Sequence, residues 1–307
     1  MLKVGIIGSG SWALAISRVL KNVQIIIKAR NLEKATTSFS KEKKKLFITD
    51  NFSDLKDSQF IFLANPSQTV RENLNKLSFD SNAQFIICCK GVEKKTNKLM
   101  SEVVEDFFPE AHYAILSGPN FASEVIKGLP SASVLSSTRN VLLKEISKII
   151  YQERFRIYFN NDVIGTQLGG AMKNVIAIAN GIIIGCGFGH NAGAAIITRG
   201  LAEIIELGLK MGAQKNTFYG LSGLGDLTLT CSSLKSRNTM LGYLLAKGKE
   251  KTDQLFEGLE SCQSICKLGK KFNVELPISN AVRKILDGSE INKIVNDMLS
   301  RPLQFEK

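Results

Sequence analysis

The sequence has few of the residues that metal sites and disulfide frameworks require. Among its 307 residues there are two histidines and six cysteines, and no two cysteines stand in a CxxC pair. Zinc sites combine closely spaced Cys and His ligands, so we expect no metal ion. Scattered cysteines are typical of free thiols in a reducing compartment, which predicts a cytoplasmic protein.

Long hydrophobic runs are also lacking. The longest apolar stretch covers residues 175–188, and Asn180 interrupts it. Because a helix that crosses a membrane needs about 20 mostly apolar residues, we expect no membrane span.

Acidic residues are outnumbered, with 28 Asp and Glu against 40 Lys and Arg, for a formal charge of +12. Such a charge attracts anions, whether nucleic acid, an acidic membrane surface or a phosphorylated cofactor and substrate. The densest basic run, residues 41–45, lies between predicted elements and fits a solvated loop. No nucleic-acid motif accompanies it, so we expect no nucleic-acid partner.

The first 160 residues alternate short β-rich runs with stretches of helical spacing, as in a parallel sheet covered by helices. The predicted strands cover residues 3–7, 23–28, 60–64, 85–88, 113–116, 132–135 and 156–158. The predicted helices between them cover 12–20, 70–77, 99–107 and 141–151. Seven strands in this arrangement predict a doubly wound α/β domain over residues 1–160.

After residue 160 the β-rich runs nearly stop. The remaining pattern predicts helices over residues 163–184, 192–211, 239–246, 256–272, 279–286 and 291–299. We therefore expect an all-helical C-terminal domain over residues 161–307.

The first predicted strand leads into the turn Gly8-Ser9-Gly10-Ser11-Trp12-Ala13, which opens the first predicted helix. In that context a glycine-rich turn is typical of Rossmann-like dinucleotide-binding domains. Gly8 allows the tight turn, Gly10 lets the backbone approach the pyrophosphate, and Ala13 replaces the third glycine where helix packs on strand. The anion then rests on the helix N-terminus. The alternative is a turn that binds no ligand.

The second predicted strand ends in Ile27-Lys28-Ala29-Arg30, without the acidic residue that usually holds the ribose hydroxyls of NAD. Arg30 at this place fits a 2′-phosphate. The expected cofactor is therefore NADP or NAD, with NADP favoured. The alternative is that Arg30 is a surface residue at a strand end.

Lys173 is the candidate catalytic residue. Residues 169–181 are apolar almost all round apart from Lys173, Asn174 and Asn180, which is the pattern of a buried helix. A buried amine needs an anionic partner or a lowered pKa, and either state suits an acid or base that acts on a carbonyl oxygen. The alternative is a lysine that extends to solvent at a domain edge.

Two polar segments supply candidate partners. Asp226 in Gly223-Leu224-Gly225-Asp226-Leu227 is a candidate counter-ion for Lys173. Ser236-Arg237-Asn238 precedes a predicted helix and fits a phosphate site, because the arginine fork engages two phosphate oxygens. The same three residues fit a helix cap equally well.

Seven blocks along nearly the whole chain resemble the bacterial NAD(P)-dependent glycerol-3-phosphate dehydrogenases, in the family's order. They are the turn at 8–12, Cys89-Lys90-Gly91, Ser117-Gly118-Pro119-Asn120-Phe121-Ala122, residues 170–175, residues 197–200, Gly225-Asp226-Leu227 with Ser236-Arg237-Asn238, and Phe256-Glu257-Gly258.

The resemblance implies reversible hydride transfer between NAD(P)H and dihydroxyacetone phosphate, which gives sn-glycerol 3-phosphate for glycerophospholipid synthesis. It implies that Lys173 donates a proton to the ketone oxygen. The alternative is a related dehydrogenase of the same plan that acts on a hydroxy acid or a sugar acid. Lys90, Arg237 and Asn238 favour a phosphorylated substrate instead. An alternative from another class is a protein that senses a dinucleotide or binds nucleic acid and carries out no chemistry. This alternative predicts salt-dependent binding to duplex DNA.

The resemblance also implies which residues bind. Those on the substrate are Lys90, Gly118, Asn120, Asp226, Ser236, Arg237 and Asn238. Those on the dinucleotide are Ser11, Trp12, Arg30, Lys90, Ala122, Arg237, Leu255 and Glu257, beside Gly8 and Gly10 of the turn. The chain departs from the usual pattern at Ala13, Asn120, His190 and Gly193. An apolar helical domain that pairs with itself would form a homodimer.

Overall fold

A computed structural model describes residues 1–42, 46–77, 83–150, 152–249 and 255–300. They form two compact units. The first comprises Met1–Lys90 and Lys98–Gln167, and the second comprises Gly91–Asn97 and the described residues from Leu168 onward. Residues 43–45 of the basic run and Tyr151 at the end of a predicted helix lie outside the described residues.

The first unit is built on one sheet. Its strands are β1 (Leu2–Ile7), β2 (Val23–Lys28), β3 (Leu46–Thr49), β4 (Phe60–Leu63), β5 (Gln84–Ile87), β6 (Tyr113–Ser117), β7 (Ser131–Ser136) and β8 (Phe155–Asn160). Their order is β3-β2-β1-β4-β5-β6-β7-β8. The order reverses at β1, where Val4 pairs with Ile25 on one side and Phe60 on the other. In doubly wound sheets ligands bind outside the carboxyl ends of the strands at this switch point.

Helices and two core clusters cover the sheet. The helices are α1 (Ser11–Val19), α2 (Leu32–Phe39), α3 (Val70–Asn75), α4 (Met100–Glu105), α5 (Ala122–Ile126) and α6 (Asn140–Ile150). Successive residues of β4 enter different clusters, Phe60 and Phe62 one and Ile61 and Leu63 the other. Because both faces of the sheet are buried, its central strands are continuous apolar runs.

One strand pair departs from the parallel arrangement that the alternating pattern indicates. β6 and β7 are antiparallel, with Leu116 opposite Leu135. The chain between them contains α5, which has five residues and is therefore about 8 Å long at 1.5 Å per residue. So short a helix does not return the chain along the sheet, and β7 starts from the end where β6 stops.

The second unit is helical. Its helices are α7 (Val163–Cys186), which begins in the first unit, α8 (Gly189–Lys210), α9 (Lys215–Tyr219), α10 (Asp226–Cys231), α11 (Arg237–Ala246), α12 (Glu257–Lys271), α13 (Pro277–Leu286) and α14 (Ile291–Leu299), with a π-helical turn at Leu221–Gly225 before α10. Within the described part of the chain, α7 alone is long and apolar enough to cross a membrane, and 89% of its most apolar window is buried. Burial of this kind is typical of the central helix of a domain.

Glycines allow α7 and α11 to approach closely. A Cβ atom on Gly181 would lie 2.0 Å from the backbone oxygen of Thr239, and one on Gly242 would lie 2.0 Å from the backbone oxygen of Ile178. Each helix therefore has a glycine where the backbone of the other passes. These two close contacts fix the position of α7 relative to α11.

A buried carboxylate joins α8 to α13. Glu203 accepts hydrogen bonds from the N–H groups of Ile278 and Ser279 and from the Ser279 hydroxyl, the last at 2.8 Å. Burial raises the pKa of Glu203 to about 7, against the opposing effect of these donors. The carboxylate thereby satisfies N–H groups that the first turn of a helix leaves without intrahelical partners.

The predicted fold class is confirmed: a Rossmann-like doubly wound sheet precedes a helical region. Each predicted strand and helix overlaps an observed one. The sequence reading missed the short elements β3, α2, α5, α9 and α10. β3 has four residues and α5, α9 and α10 have five or six, too few for a period to be recognised.

Candidate active site

Gly8 turns the chain at the end of β1. Its φ is +120°, and its N–H donates to the backbone oxygen of Lys28 at 3.0 Å. A Cβ atom there would lie 2.7 Å from the backbone oxygen of Ala64. The position therefore requires glycine for both its backbone conformation and its space.

Gly10 immediately precedes α1, and its surroundings are open. A Cβ atom on Gly10 would have no neighbour within 4 Å. No side chain caps α1, and its first turn carries no acidic residue. A helix N-terminus with its N–H groups uncapped and with open space in front of it fits a pyrophosphate. These residues therefore fit the dinucleotide that the motif predicts.

Trp12 and Ala122 lie where α1 and α5 meet the sheet. Both pack against the same core cluster. Trp12 also makes a side-chain hydrogen bond with Cys88, although burial dominates and raises the pKa of that thiol. Ser11, the first residue of α1, is exposed.

Arg30 lies two residues beyond the carboxyl end of β2, and its side chain is exposed. The next residue, Asn31, caps α2 by accepting a hydrogen bond from the N–H of Lys34 at 2.8 Å. Arg30 is thus placed on the short connection between β2 and α2. That connection is where dinucleotide-binding domains select between a ribose hydroxyl and a 2′-phosphate.

Lys90, Gly118 and Asn120 come together after β5 and β6. The Lys90 ammonium donates to the backbone oxygen of Gly118 at 2.9 Å. The Asn120 amide nitrogen donates to the backbone oxygen of Ala132 at 2.9 Å, and its amide oxygen accepts from the Ser133 hydroxyl. Asn120 therefore holds its loop against β7 with both ends of its amide.

Lys173 forms the polar centre of the second unit. Its ammonium donates to Asp226 Oδ1 at 2.7 Å and to Thr230 Oγ1 at 2.7 Å. The Lys173 side chain is 9% exposed and that of Asp226 1%. The expected pairing of these two residues is present, and Lys173 does not extend to solvent. The anion offsets much of the cost of burying the amine.

Asp226 owes its position to the π-helical turn that precedes it. That turn ends at Gly225, and Asp226 is the first residue of α10. Thr230 lies four residues later on the same face, and its hydroxyl donates to the backbone oxygen of Asp226 at 2.6 Å. Two residues one helical turn apart thus contact the same ammonium.

A chain of amides lies beside this centre. Asn238 donates to Asn174 Oδ1 at 3.0 Å and accepts from the N–H of Gly258 at 3.1 Å. A Cβ atom on Gly258 would lie 2.6 Å from the backbone oxygen of Asn174. These contacts join α7, α11 and the start of α12 next to Lys173.

Ser236 and Arg237 open α11. The Ser236 hydroxyl accepts from the N–H of Thr239 at 3.3 Å, so the cap that the sequence allowed is present. Arg237 follows as the first helical residue and is exposed. Leu255 is exposed before α12, and Glu257 is the half-buried first residue of that helix.

The structure thus gathers Lys90, Gly118 and Asn120 in the first unit, and Lys173, Asp226 and Asn238 in the second. The sequence reading missed the role of Thr230, for which the signal is its spacing of four from Asp226. His190 and Gly193, two of the departures, lie in the first turns of α8, where His190 is exposed.

A metal site has no support in the described part of the chain. No group of three or more His, Cys, Asp or Glu side chains there could hold a metal ion. The residues described above supply lysine, carboxylate, hydroxyl and amide groups to the site.

Comparisons with known proteins identify relatives along most of the chain. The family described as NAD-dependent glycerol-3-phosphate dehydrogenase N-terminus matches residues 3–142, and its C-terminus counterpart matches residues 162–296. A glycerol-3-phosphate dehydrogenase (NAD(P)+) from Parvibaculum lavamentivorans is 36% identical over 99% of this chain and 98% of its own length. The similarity therefore extends over both units.

Solved structures give the same result. A crystal structure of glycerol-3-phosphate dehydrogenase from Coxiella burnetii matches with a TM-score of 0.93 and 31% identity over 98% of this chain and 99% of that one. D-mandelate dehydrogenase with NADH matches with a TM-score of 0.64 and 12% identity over 96% of this chain and 99% of that one, which shows a shared fold alone. The hydroxy-acid alternative thus gains no support, and the chain belongs to the NAD-dependent glycerol-3-phosphate dehydrogenase family.

Proposed function

We propose that this protein reversibly reduces dihydroxyacetone phosphate to sn-glycerol 3-phosphate with NAD(P)H, and that it supplies the backbone of glycerophospholipids. The observation that carries the proposal is the buried ion pair of Lys173 and Asp226 in a chain that belongs to this family. The bound dinucleotide supplies the hydride. The residues of this chain bind the two reactants and move the proton.

Lys173 is the proton donor to the ketone oxygen in reduction and the acceptor in the reverse direction. The carboxylate of Asp226 favours the charged form of the amine, because an adjacent anion stabilises an ammonium. The hydroxyl of Thr230 contacts the same nitrogen and limits its direction. A lysine held in this way is already oriented when the substrate binds, which lowers the entropic part of the barrier.

The substrate phosphate binds at Arg237 and Lys90 in this proposal. Arg237 is exposed at the N-terminus of α11, where its charge adds to that of the helix dipole. Ser236 and Asn238 hold that N-terminus through the cap and the amide chain, and Gly118 and Asn120 hold the loop that Lys90 contacts. Asp226 acts through Lys173.

The turn at Gly8 and Gly10 would hold the dinucleotide, with Ser11, Trp12, Ala122, Leu255 and Glu257 as further contacts. Arg30 favours NADP, because an exposed guanidinium at the end of β2 can engage a 2′-phosphate. We assign cofactor binding to residues 1–160 and substrate binding with proton transfer to residues 161–307. A cytoplasmic location is part of the proposal, since all six cysteines are free thiols, and so is a homodimer.

Initial rates with dihydroxyacetone phosphate, measured in parallel with NADPH and NADH, test the proposal. We expect oxidation of either cofactor that depends on the substrate, with the higher kcat/KM for NADPH. Lys173→Met is expected to bind NADPH normally and to lose at least about 10²-fold in kcat. Lys210→Met, a change to an exposed lysine at the end of α8, is the matched control. A fully active Lys173→Met enzyme would contradict the assigned role.

A further inference from the structure

The segment Gly91–Asn97 follows Lys90 directly, yet it belongs to the second compact unit whereas Lys90 belongs to the first. Gly91, Val92 and Glu93 are buried. The segment has an isolated bridge at Val92 and a turn at residues 94–96 but no helix or strand, so its buried N–H and C=O groups need further partners. The contacts that hold this segment therefore also restrain the backbone immediately after Lys90.

Two serines of α12 supply those partners. The hydroxyl of Ser261 accepts a hydrogen bond from the N–H of Val92 at 3.1 Å, and the hydroxyl of Ser264 donates to the backbone oxygen of Glu93 at 3.1 Å. Ser261 is 0% exposed and Ser264 is 1% exposed. Spaced three residues apart, they lie on the same face of the helix.

The rest of the segment is ordered by its own contacts. Thr96 donates to the Glu93 carboxylate at 2.5 Å, and the N–H of Asn97 donates to the Glu93 backbone oxygen at 2.9 Å. Lys94 forms a longer ion pair of 3.7 Å with Glu260 on α12. The segment is thus a closed loop that α12 holds at the Val92 N–H and at the Glu93 backbone oxygen.

The same helix begins with a proposed dinucleotide contact. Glu257 is the first residue of α12 and lies four residues before Ser261. Residues four apart lie one turn apart on a helix surface. A short stretch of α12 therefore carries both a cofactor contact and the point that holds the chain next to Lys90.

We propose that Ser261 and Ser264 are positioning residues that fix the backbone beside Lys90 and thereby direct its ammonium toward the substrate phosphate. This inference rests on the proposed function, in which Lys90 contacts the substrate. The Lys90 side chain is long and flexible, so its direction depends on how firmly its backbone is held. Both serines are buried, and the role assigned to them is to hold this backbone.

The test compares Ser261→Ala and the double variant Ser261→Ala/Ser264→Ala with the wild type. Ser261→Ala removes the hydroxyl that accepts from the Val92 N–H, and the loss of a buried hydrogen bond is unfavourable, so the loop loosens. We expect KM for dihydroxyacetone phosphate to rise about tenfold while kcat changes by less than about twofold, a change in KM of about 1.4 kcal/mol. Ser261→Thr retains the hydroxyl and is expected to keep the wild-type KM.

The control is Ser279→Ala, another buried serine of the second unit, whose hydroxyl contacts Glu203. It loses a hydroxyl of similar burial and is expected to leave KM unchanged. Hydrogen exchange gives a readout that does not depend on turnover: the amide of Val92 is expected to exchange faster in Ser261→Ala and at the wild-type rate in Ser279→Ala.

A double-mutant cycle with Lys90→Ala decides whether the serines act through Lys90. If they do, adding Ser261→Ala to Lys90→Ala raises KM no further, because coupled residues are not additive. Additive effects on KM, or an unchanged KM in Ser261→Ala, would overturn this inference while the proposed function stands. A wild-type protein that does not reduce dihydroxyacetone phosphate would overturn both.

Discussion

Replacing Asp226 by asparagine removes one charge from the centre of the second unit and keeps the size of the side chain. The Nζ atom of Lys173 lies 2.7 Å from Asp226 Oδ1, and neither side chain is more than 9% exposed. At that distance, with an effective dielectric constant near 20, the attraction between the two charges is about 6 kcal/mol. The variant thus loses a large interaction without a change in packing.

Part of this energy is recovered. The amide oxygen of asparagine still accepts a hydrogen bond from Lys173, and the Thr230 hydroxyl remains in contact. Removing one partner of a buried pair costs about 3–5 kcal/mol. We expect the lower end, a loss of about 3 kcal/mol in the free energy of unfolding, measured by urea denaturation.

The effect on turnover has the same origin. Without the carboxylate, less of the Lys173 amine is in its charged form, because the adjacent anion no longer stabilises the ammonium. A neutral amine does not donate the proton that reduction needs. We therefore expect kcat for dihydroxyacetone phosphate to decrease about 10²-fold at neutral pH and to recover partly as the pH is lowered.

Asp57→Asn is the matched control. Asp57 forms an ion pair with Lys3 at 2.8 Å, but its side chain is 70% exposed, so the expected loss of stability is much smaller than that of Asp226→Asn. If Asp226→Asn loses no more stability than Asp57→Asn and keeps the wild-type pH profile, then Asp226 does not hold Lys173 in its charged form.

Three further predictions concern other parts of the molecule. Gly8→Ala is expected to destabilise the fold by about 1–3 kcal/mol, because Gly8 has a positive φ and a Cβ atom there would contact Ala64. Gly10→Val is expected to change the stability in urea by no more than about 0.5 kcal/mol and to weaken NADPH binding, measured by titration. Equal losses of stability in the two variants would contradict this contrast. Arg30→Ser is expected to raise KM for NADPH about tenfold and to leave KM for NADH unchanged. An unchanged KM for both cofactors would assign Arg30 to the surface, and equal increases in both would show that it does not select between them. The pKa of Glu203 is about 7 in the folded state, above its unfolded value of 4.5, so its contribution to stability is present below pH 4.5 and is lost as the pH rises through about 7. Glu203→Gln is expected to reduce the change of the urea midpoint with pH between about 4.5 and 7. An unchanged pH dependence of the midpoint would refute the assignment.

The sequence predicted the large elements because their patterns are long. The β-rich runs of the sheet and the apolar helix around Lys173 are unambiguous, since a strand with both faces buried and a helix buried all round contain few polar residues. The same logic identified Lys173 and Asp226. A single charged residue in an apolar helix needs a partner, and the segment around Asp226 was rich in small residues that permit a close approach.

Short elements and local capping were not predictable in this way. β3 follows a basic run, and its four residues give no recognisable alternation. Ser236 fits a cap and a phosphate site equally well by residue type, and its hydrogen bond to the Thr239 N–H is visible only in the structure. Asn120 is similar, because nothing in the sequence indicates that its amide spans from its own loop to β7.

The position of the Lys173 backbone depends on contacts between uncharged residues. Gly242 brings α11 against α7 at Ile178, and Asn238 on α11 then reaches Asn174. Since Asn174 directly follows Lys173, the packing of the two helices sets the position of the Lys173 backbone, and Asp226 and Thr230 orient the ammonium. The ion pair therefore stabilises the charge and the direction of a side chain whose backbone position is set by helix packing at the glycines.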